Sequence, residues 1–256
     1  MSALLSTTEL TVRFGGVVAV DKVSISIEPR RLYGLIGPNG SGKSTLLGAI
    51  SRLTQLTEGT MQFEGRDYTT APAFEVPRMG IARTFQTVRL LPSLSVIDNV
   101  MLGADYKYFG PGIFKAWLLP RWAAKRDSLA REAAEKALAR LDISEHRDAR
   151  PDVLPYGIQR RVEIARALVS EPAMLLLDEP TAGMTKTERE EIGALLKRLC
   201  QEGLTQILVD HDVELVVDVC EELYVMNSGR IMANGIPSEV VKRADVQEAY
   251  LGKRHQ

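Results

Sequence analysis

The stretch Leu32-Tyr33-Gly34-Leu35-Ile36-Gly37-Pro38-Asn39-Gly40-Ser41-Gly42-Lys43-Ser44-Thr45, LYGLIGPNGSGKST, decides the fold. Residues 32–36 form a nearly continuous apolar run, the pattern of a strand buried on both faces. The run enters a glycine-rich loop, and beyond it Leu46, Leu47 and Ile50 share one side of an expected helix. Strand, loop and helix in that order are the context that G-x-x-x-x-G-K-[ST] requires, and residues 37–45 fit it. Its glycines let backbone N–H groups turn inward as a nest for phosphate oxygens, and the helix adds its positive end. Gly37, Pro38, Asn39, Gly40, Ser41, Gly42, Lys43, Ser44 and Thr45 are therefore candidate nucleotide-binding residues. Lys43 is expected at the β- and γ-phosphates, and the Ser44 hydroxyl at Mg2+.

A second stretch, Leu175-Leu176-Leu177-Asp178-Glu179-Pro180, supplies the acids such a loop needs. A carboxylate at the end of a buried neighbouring strand can hold Mg2+ through water, which suits Asp178. Glu179 points elsewhere and is placed to polarise an attacking water as general base. Gln86, in Ala82-Arg83-Thr84-Phe85-Gln86, lies where the texture of the chain changes, and its amide can sense Mg2+ or the water. His211 follows the apolar run 206–209 and can donate a hydrogen bond to the γ-phosphate. For both residues the bland alternative is a satisfied polar side chain. Phe14, before Gly15-Gly16, reads either as a core aromatic or as a ring that stacks on adenine.

Outward from these motifs, Leu10 to Phe14 and Val23 to Ile27 alternate like half-buried strands. Residues 174–177 and 206–209 read as buried strands, and Glu188 to Gln201 as a helix stopped by Gly203. Leu223 to Ala233 reads as a hairpin turning at Asn227-Ser228-Gly229. Between about 88 and 157 the chain reads as a helical insert. Aromatic residues crowd 104–122, and Asp127 or Ser128 is the expected cap of a helix whose stripe is Leu129, Ala133, Ala137, Leu138 and Leu141. The expected organisation is one domain over 1–256. Residues 1–87 and 158–240 make the nucleotide-binding core, 88–157 a helical subdomain and 241–256 a tail. Alternating helix and strand signals imply a largely parallel sheet.

The formal net charge of −1 gives no global field for nucleic acid, so none is expected as a partner. Cys200 and Cys220 make no disulfide framework and are expected as buried reduced thiols within helical patterns. No apolar run reaches the length of a membrane span, and residues 1–10 lack the pattern of a signal peptide. A soluble, cytoplasmic protein is the expectation.

Between these motifs lies LPYGIQRRVEIARAL, residues 154–168, a loop opening into a helix. Taken in order, the pieces resemble the ATP-binding cassette ATPases, the nucleotide-binding subunits of ABC transporters, over nearly the whole chain. Phe14 matches the adenine-stacking aromatic, Gln86 the Q-loop and His211 the switch histidine. Leu154, Pro155, Tyr156, Gly157 and Ile158 match the signature, which acts in trans on ATP held by a second cassette. The resemblance implies an α/β fold: a P-loop NTPase (RecA-like) core, an antiparallel β subdomain and an inserted α-helical subdomain. It also implies ATP and Mg2+ as ligands, with Ser44, Gln86 and Asp178 at the metal and Glu179, His211, Gln86 and Lys43 as catalytic residues. Gly80-Ile81-Ala82-Arg83-Thr84-Phe85-Gln86-Thr87-Val88-Arg89-Leu90, the aromatic insert and the ending 245–252 narrow the likeness to branched-chain amino acid importers. That implies a bacterial or archaeal ATPase on the cytoplasmic face of the membrane, serving branched-chain amino acids or related small polar solutes. Its implied partners are a second, different ATPase subunit, integral membrane permease subunits and, indirectly, a substrate-binding protein. Lipopolysaccharide-export ATPases share the Tyr-Leu-Gly ending, and a non-transport or regulatory cassette is the remaining alternative.

The chain departs from the family pattern in two places. Pro155 and Ile158 stand where the signature has serine and glutamine, and Thr185 stands where an aspartate is common. Proline is tolerated at a helix start. The expected result is a weakened signature with its backbone intact. The hydroxyl it lacks is worth about 1.5–3 kcal/mol on a phosphate oxygen. The exposed aromatics Tyr106, Tyr108, Phe109, Phe114, Trp117 and Trp122, with Leu118, are expected either to grip a membrane subunit or to cover the core.

Overall fold

A computed structural model describes residues 3–104, 107 and 120–251. The aromatic insert, expected either to grip a membrane subunit or to cover the core, lies almost wholly outside the described residues. In chain order the strands are β1 (Leu5–Phe14), β2 (Val17–Val23), β3 (Ser26–Ile27), β4 (Leu32–Ile36), β5 (Glu58–Phe63), β6 (Arg66–Asp67) and β7 (Ile81–Arg83). They continue with β8 (Met174–Asp178), β9 (Thr205–Val209), β10 (Glu222–Asn227) and β11 (Arg230–Gly235). The helices are α1 (Lys43–Ile50), α2 (Val96–Leu102), α3 (Pro120–Arg140), α4 (Tyr156–Leu168), α5 (Lys186–Gln201), α6 (Val213–Val219), α7 (Pro237–Val240) and α8 (Ala244–Leu251).

The described residues fall into two compact units. One joins the chain up to Arg83 with the chain from Met174 onward, and the other is Thr84–Ala173. In the first unit the strands of one sheet run β11-β10-β4-β9-β8-β7, parallel from β10 to β7 with β11 antiparallel at one edge. Every residue of β4, β8 and β9 is buried, as parallel strands covered on both faces require. The other sheet is antiparallel, ordered β2-β1-β5-β6 with β3 also on β1. The expected strand over 23–27 is split in two. Thr7 Oγ1 donates to Val23 O at 3.1 Å and accepts from Ile25 N at 3.0 Å, so a side chain carries the polar groups where the ladder breaks.

The hairpin turns where the sequence places it, with Ser228 at φ 49° and Gly229 at φ 83°. Such a pair of positive angles matches the twist of a tight hairpin. Helix α5 starts earlier than Glu188. Thr185 caps it, accepting from Glu188 N while the Glu188 carboxylate accepts from Thr185 N, a capping box written in the sequence as T-x-x-E.

The second unit is helical among its described residues. Helix α3 does not begin at Asp127 or Ser128 but runs through both from Pro120. Proline fits a first helical turn, and both polar residues are exposed, so neither competes for a cap. Helix α4 packs on α2 and α3, so it belongs with this unit, which extends to Ala173, and the boundary expected at 158 moves accordingly. Cys200 and Cys220 are free and buried as expected, but Cys220 ends α6 in an extended conformation instead of lying within it.

Candidate functional site

Strands β4, β9 and β8 are neighbours with Leu35 level with Val209 and Val209 level with Asp178. Their C-terminal ends therefore open on one edge of the sheet, where ligands of parallel α/β sheets gather. From β4 leaves the glycine loop, from β8 Asp178 and Glu179, and from β9 Asp210 and His211.

The loop is shaped for an anion. Gly37 has φ 155°, and a Cβ there would lie 2.2 Å from Met226 O. Gly42, at φ 104°, would put one 2.3 Å from Ala19 O. Any side chain at either position would break the loop. Gly42 caps α1 without a side-chain hydrogen bond, and the first turn carries no acid, so its N–H groups meet no competing carboxylate. Ser41 Oγ is buried without a hydrogen-bond partner. Lys43 is buried and its Nζ donates to Gly37 O at 2.8 Å and Pro38 O at 3.2 Å, curled along the loop it is meant to serve. The hairpin turn braces the loop from outside. Gly229 N donates to Ser41 O, and Asp21 N to Gly229 O.

Two hard oxygens face each other beside the loop, Ser44 Oγ donating to Asp178 Oδ1 at 3.2 Å. Among the described residues no three His, Cys, Asp or Glu side chains converge on a metal. A hydroxyl and one carboxylate suit Mg2+, which takes oxygen ligands and fills its other positions with waters and phosphates. The residues present therefore fit a cation that arrives with a nucleotide.

Glu179 lies one residue past β8 at φ 48°, in the left-handed region that non-glycine residues seldom adopt. Such strain persists only where the surroundings enforce it. Glu179 N donates to Val209 O at 2.8 Å, which anchors the turn. Its carboxylate Oε1 lies 2.6 Å from His211 Nε2. Asp210, buried, fixes the histidine's own segment by accepting from Thr181 Oγ1 at 2.6 Å and Asp212 N at 3.0 Å. Phe14 ends β1 and is 56% exposed, so it is not the core aromatic of the alternative reading.

The second unit holds Gln86 and the 154–158 segment. Pro155 occupies the N-cap of α4 with φ −54° and ψ 148°, the backbone of a cap without its hydroxyl. Ile158 N and Gln159 N both donate to Pro155 O, and Gln159 Nε2 donates to Leu154 O, so the first turn is closed. Fully buried Arg160 ties this helix to the loop before α2. It donates to Phe85 O and Gln86 O, both at 2.8 Å, to Glu163 at 2.6 Å and to the Tyr156 hydroxyl at 3.2 Å. Burial pushes the Glu163 carboxyl up against the pull of Arg160.

The structure thus brings Lys43, Ser44, Asp178, Glu179 and His211 to one sheet edge and puts Gln86 beside the α4 helix through Arg160. Sequence reading missed Arg83, whose guanidinium sits on Asp178, and Asp210. It also missed Tyr250, whose hydroxyl meets the Gly37 backbone and is pushed up to about 12 by burial. Asp210 had a signal, an acid between a buried strand and the histidine, whereas Arg83 and Tyr250 had none.

A parallel sheet whose strand ends carry a phosphate loop, a hydroxyl–carboxylate pair and a Glu–His pair defines a nucleotide-binding ATPase core. The chain belongs to the ABC transporter family, whose model matches residues 20–182. It is 38% identical to the high-affinity branched-chain amino acid transport ATP-binding protein LivG of Salmonella typhimurium, over 98% of both chains. It is 35% identical to the corresponding protein BraF of Pseudomonas aeruginosa, again over 98% of both. Among solved structures it resembles an ATP-binding cassette of an ABC transporter in its ADP conformation, with TM-score 0.86 and 32% identity, covering 98% of this chain and 100% of that one. A nucleotide-free ABC cassette matches with TM-score 0.84 and 33% identity, over 97% and 98% of the two chains. A dimeric cassette bound to ADP and phosphate matches with TM-score 0.75 and 27% identity, over 91% and 98%.

Proposed function

We propose that this chain is the ATP-hydrolysing subunit of an ABC importer for branched-chain amino acids or related small polar solutes. It works at the cytoplasmic face of a bacterial or archaeal membrane with a second ATPase subunit, permease subunits and, indirectly, a substrate-binding protein. The observation that carries the ATPase reading is the 2.6 Å Glu179–His211 contact beside a complete phosphate loop. The cargo rests on the likeness to LivG and BraF.

In this reading Phe14 stacks on adenine, and the loop amides of residues 37–45 with Lys43 hold the phosphates. Ser44 and, through water, Asp178 hold Mg2+, which when bound neutralises charge on the phosphate oxygens. Glu179 takes the proton of the attacking water, and His211 both orients Glu179 and donates to the γ-phosphate. The role of Gln86 at metal and water rests on family resemblance alone. Replacing Lys43 by Ala should abolish ATP binding. Glu179→Gln should keep binding, measured by titration with a fluorescent ATP analogue, and lower turnover by about 100- to 10,000-fold. Turnover unchanged in Glu179→Gln would refute the assignment. Loss of labelled leucine uptake in cells lacking this chain tests the cargo.

The signature carries a second proposal. Because it acts in trans, the missing hydroxyl weakens the partner's ATP site and not the one on this chain. In a mixed dimer the site built on this chain is therefore the faster. Pro155→Ser with Ile158→Gln should raise turnover at the partner's site by about ten- to a hundredfold if the full hydroxyl contribution returns. The rise should fall on the partner's site; an equal rise at both sites contradicts it.

A further inference from the structure

Arg83 is the last residue of β7, and β7 lies next to β8 with Arg83 level with Leu176. From there its guanidinium reaches along the neighbouring strand to Asp178. Nη2 donates to Asp178 Oδ2 at 2.9 Å, and Nη1 donates to Ser51 Oγ at 3.0 Å. Ser51 ends α1 and its hydroxyl donates in turn to Leu47 O at 2.8 Å. The two oxygens of Asp178 thus have separate tasks. Oδ2 is taken by Arg83, and Oδ1 faces the Ser44 hydroxyl. Arg83 and Asp178 side chains are 13% and 5% exposed, so the pair is little screened by solvent.

We propose that Arg83 is a positioning residue for the metal carboxylate. It locks the Asp178 side chain so that Oδ1 stays on the Ser44 side, and it fastens that carboxylate to the end of the helix that follows the phosphate loop. The inference rests on the reading of Asp178 as a metal-holding residue. Two effects of Arg83 oppose each other: its charge repels a nearby cation, while its hydrogen bond orients the carboxylate that holds the metal's water. Orientation wins here, because the guanidinium binds the oxygen turned away from Ser44, and partners of this kind are worth about ten- to a hundredfold in metal affinity.

The test uses the full chain with ATP and Mn2+ as the metal probe, read by the paramagnetic resonance of free Mn2+, with ATP affinity in EDTA measured alongside. Arg83→Met and Arg83→Gln should bind ATP in EDTA as the parent does. Arg83→Met should weaken Mn2+ binding to the ATP-loaded protein about ten- to a hundredfold, and Arg83→Gln, which keeps a donor without charge, by less. Unchanged Mn2+ affinity in Arg83→Met, or tighter binding in either variant, overturns the proposal. Asp178→Asn is the control. If it leaves Mn2+ affinity intact, the reading of Asp178 itself fails. If it weakens Mn2+ while Arg83→Met does not, only the role of Arg83 falls. Arg83→Lys, which keeps the charge but loses the forked donor to Ser51 and Asp178, should also weaken Mn2+ binding; parent-like affinity there would contradict positioning by geometry.

Discussion

Glu179 combines a positive φ, a short contact to His211 and a nearly buried carboxylate. Together they hold one acid in one orientation. Phe14 is the opposite case, an exposed ring that the proposed reading assigns to adenine. Its replacement by Ala should raise the Kd for ATP by about five- to 150-fold without changing stability, since base stacking on an aromatic ring is worth about 1–3 kcal/mol. Titration of the variant with ATP and with a nucleotide lacking the base separates stacking from phosphate binding. At this scale the sequence was legible wherever chemistry demands one residue type at one spacing, as for Lys43, Ser44 and Asp178. Arg83 was opaque because an arginine at the end of a short strand has no pattern. Only the pairing of β7 with β8 shows what it reaches.

Helix α4 is tied to the loop before α2 by a fully buried cation, Arg160. Removing Arg160 strips four hydrogen bonds and leaves the Glu163 carboxyl buried without its guanidinium partner, a loss of about 3–5 kcal/mol for a broken buried pair. Arg160→Met should therefore lower Tm by roughly 6–20 °C, because about 1 kcal/mol shifts a chain of this size by some 2–4 °C. Pairing it with Glu163→Met should recover part of the loss, measured by calorimetry; no recovery would mean the backbone bonds to Phe85 and Gln86 dominate. The capping box at Thr185 predicts a smaller effect, about 1 kcal/mol for Thr185→Ala. Periodicity found the helices, but it failed at their ends. Helix α3 ran past the Asp127–Ser128 signal because a continuous run of good helix formers precedes it, and α5 began at a cap that the apolar stripe alone does not mark.

Across the whole molecule, buried tyrosines and thiols set an alkaline limit. Burial pushes Tyr224 and Tyr250 from 10.0 to about 12 and Cys200 from 9.0 to about 11, and raises Tyr68 and Cys220 as well. A group whose pKa is higher folded than unfolded gives stability that is complete below the unfolded pKa and lost as pH rises through the folded one. Denaturant midpoints should therefore be level up to about pH 9 and fall between about pH 9 and 12. A midpoint level through pH 11 would contradict that burial.

The central claim is that a cassette with an intact phosphate loop and a proline-capped signature still closes around ATP. Among the described residues no helix is long and apolar enough to cross a membrane. The direct measurement is light scattering on Glu179→Gln protein with and without Mg-ATP. The account predicts a 28.3 kDa species without nucleotide and a species of twice that mass with it, abolished by adding Lys43→Ala. A protein that binds Mg-ATP and stays at the monomer mass would contradict closure with a second copy of this chain, and would show that the proline-capped signature supports no homodimer.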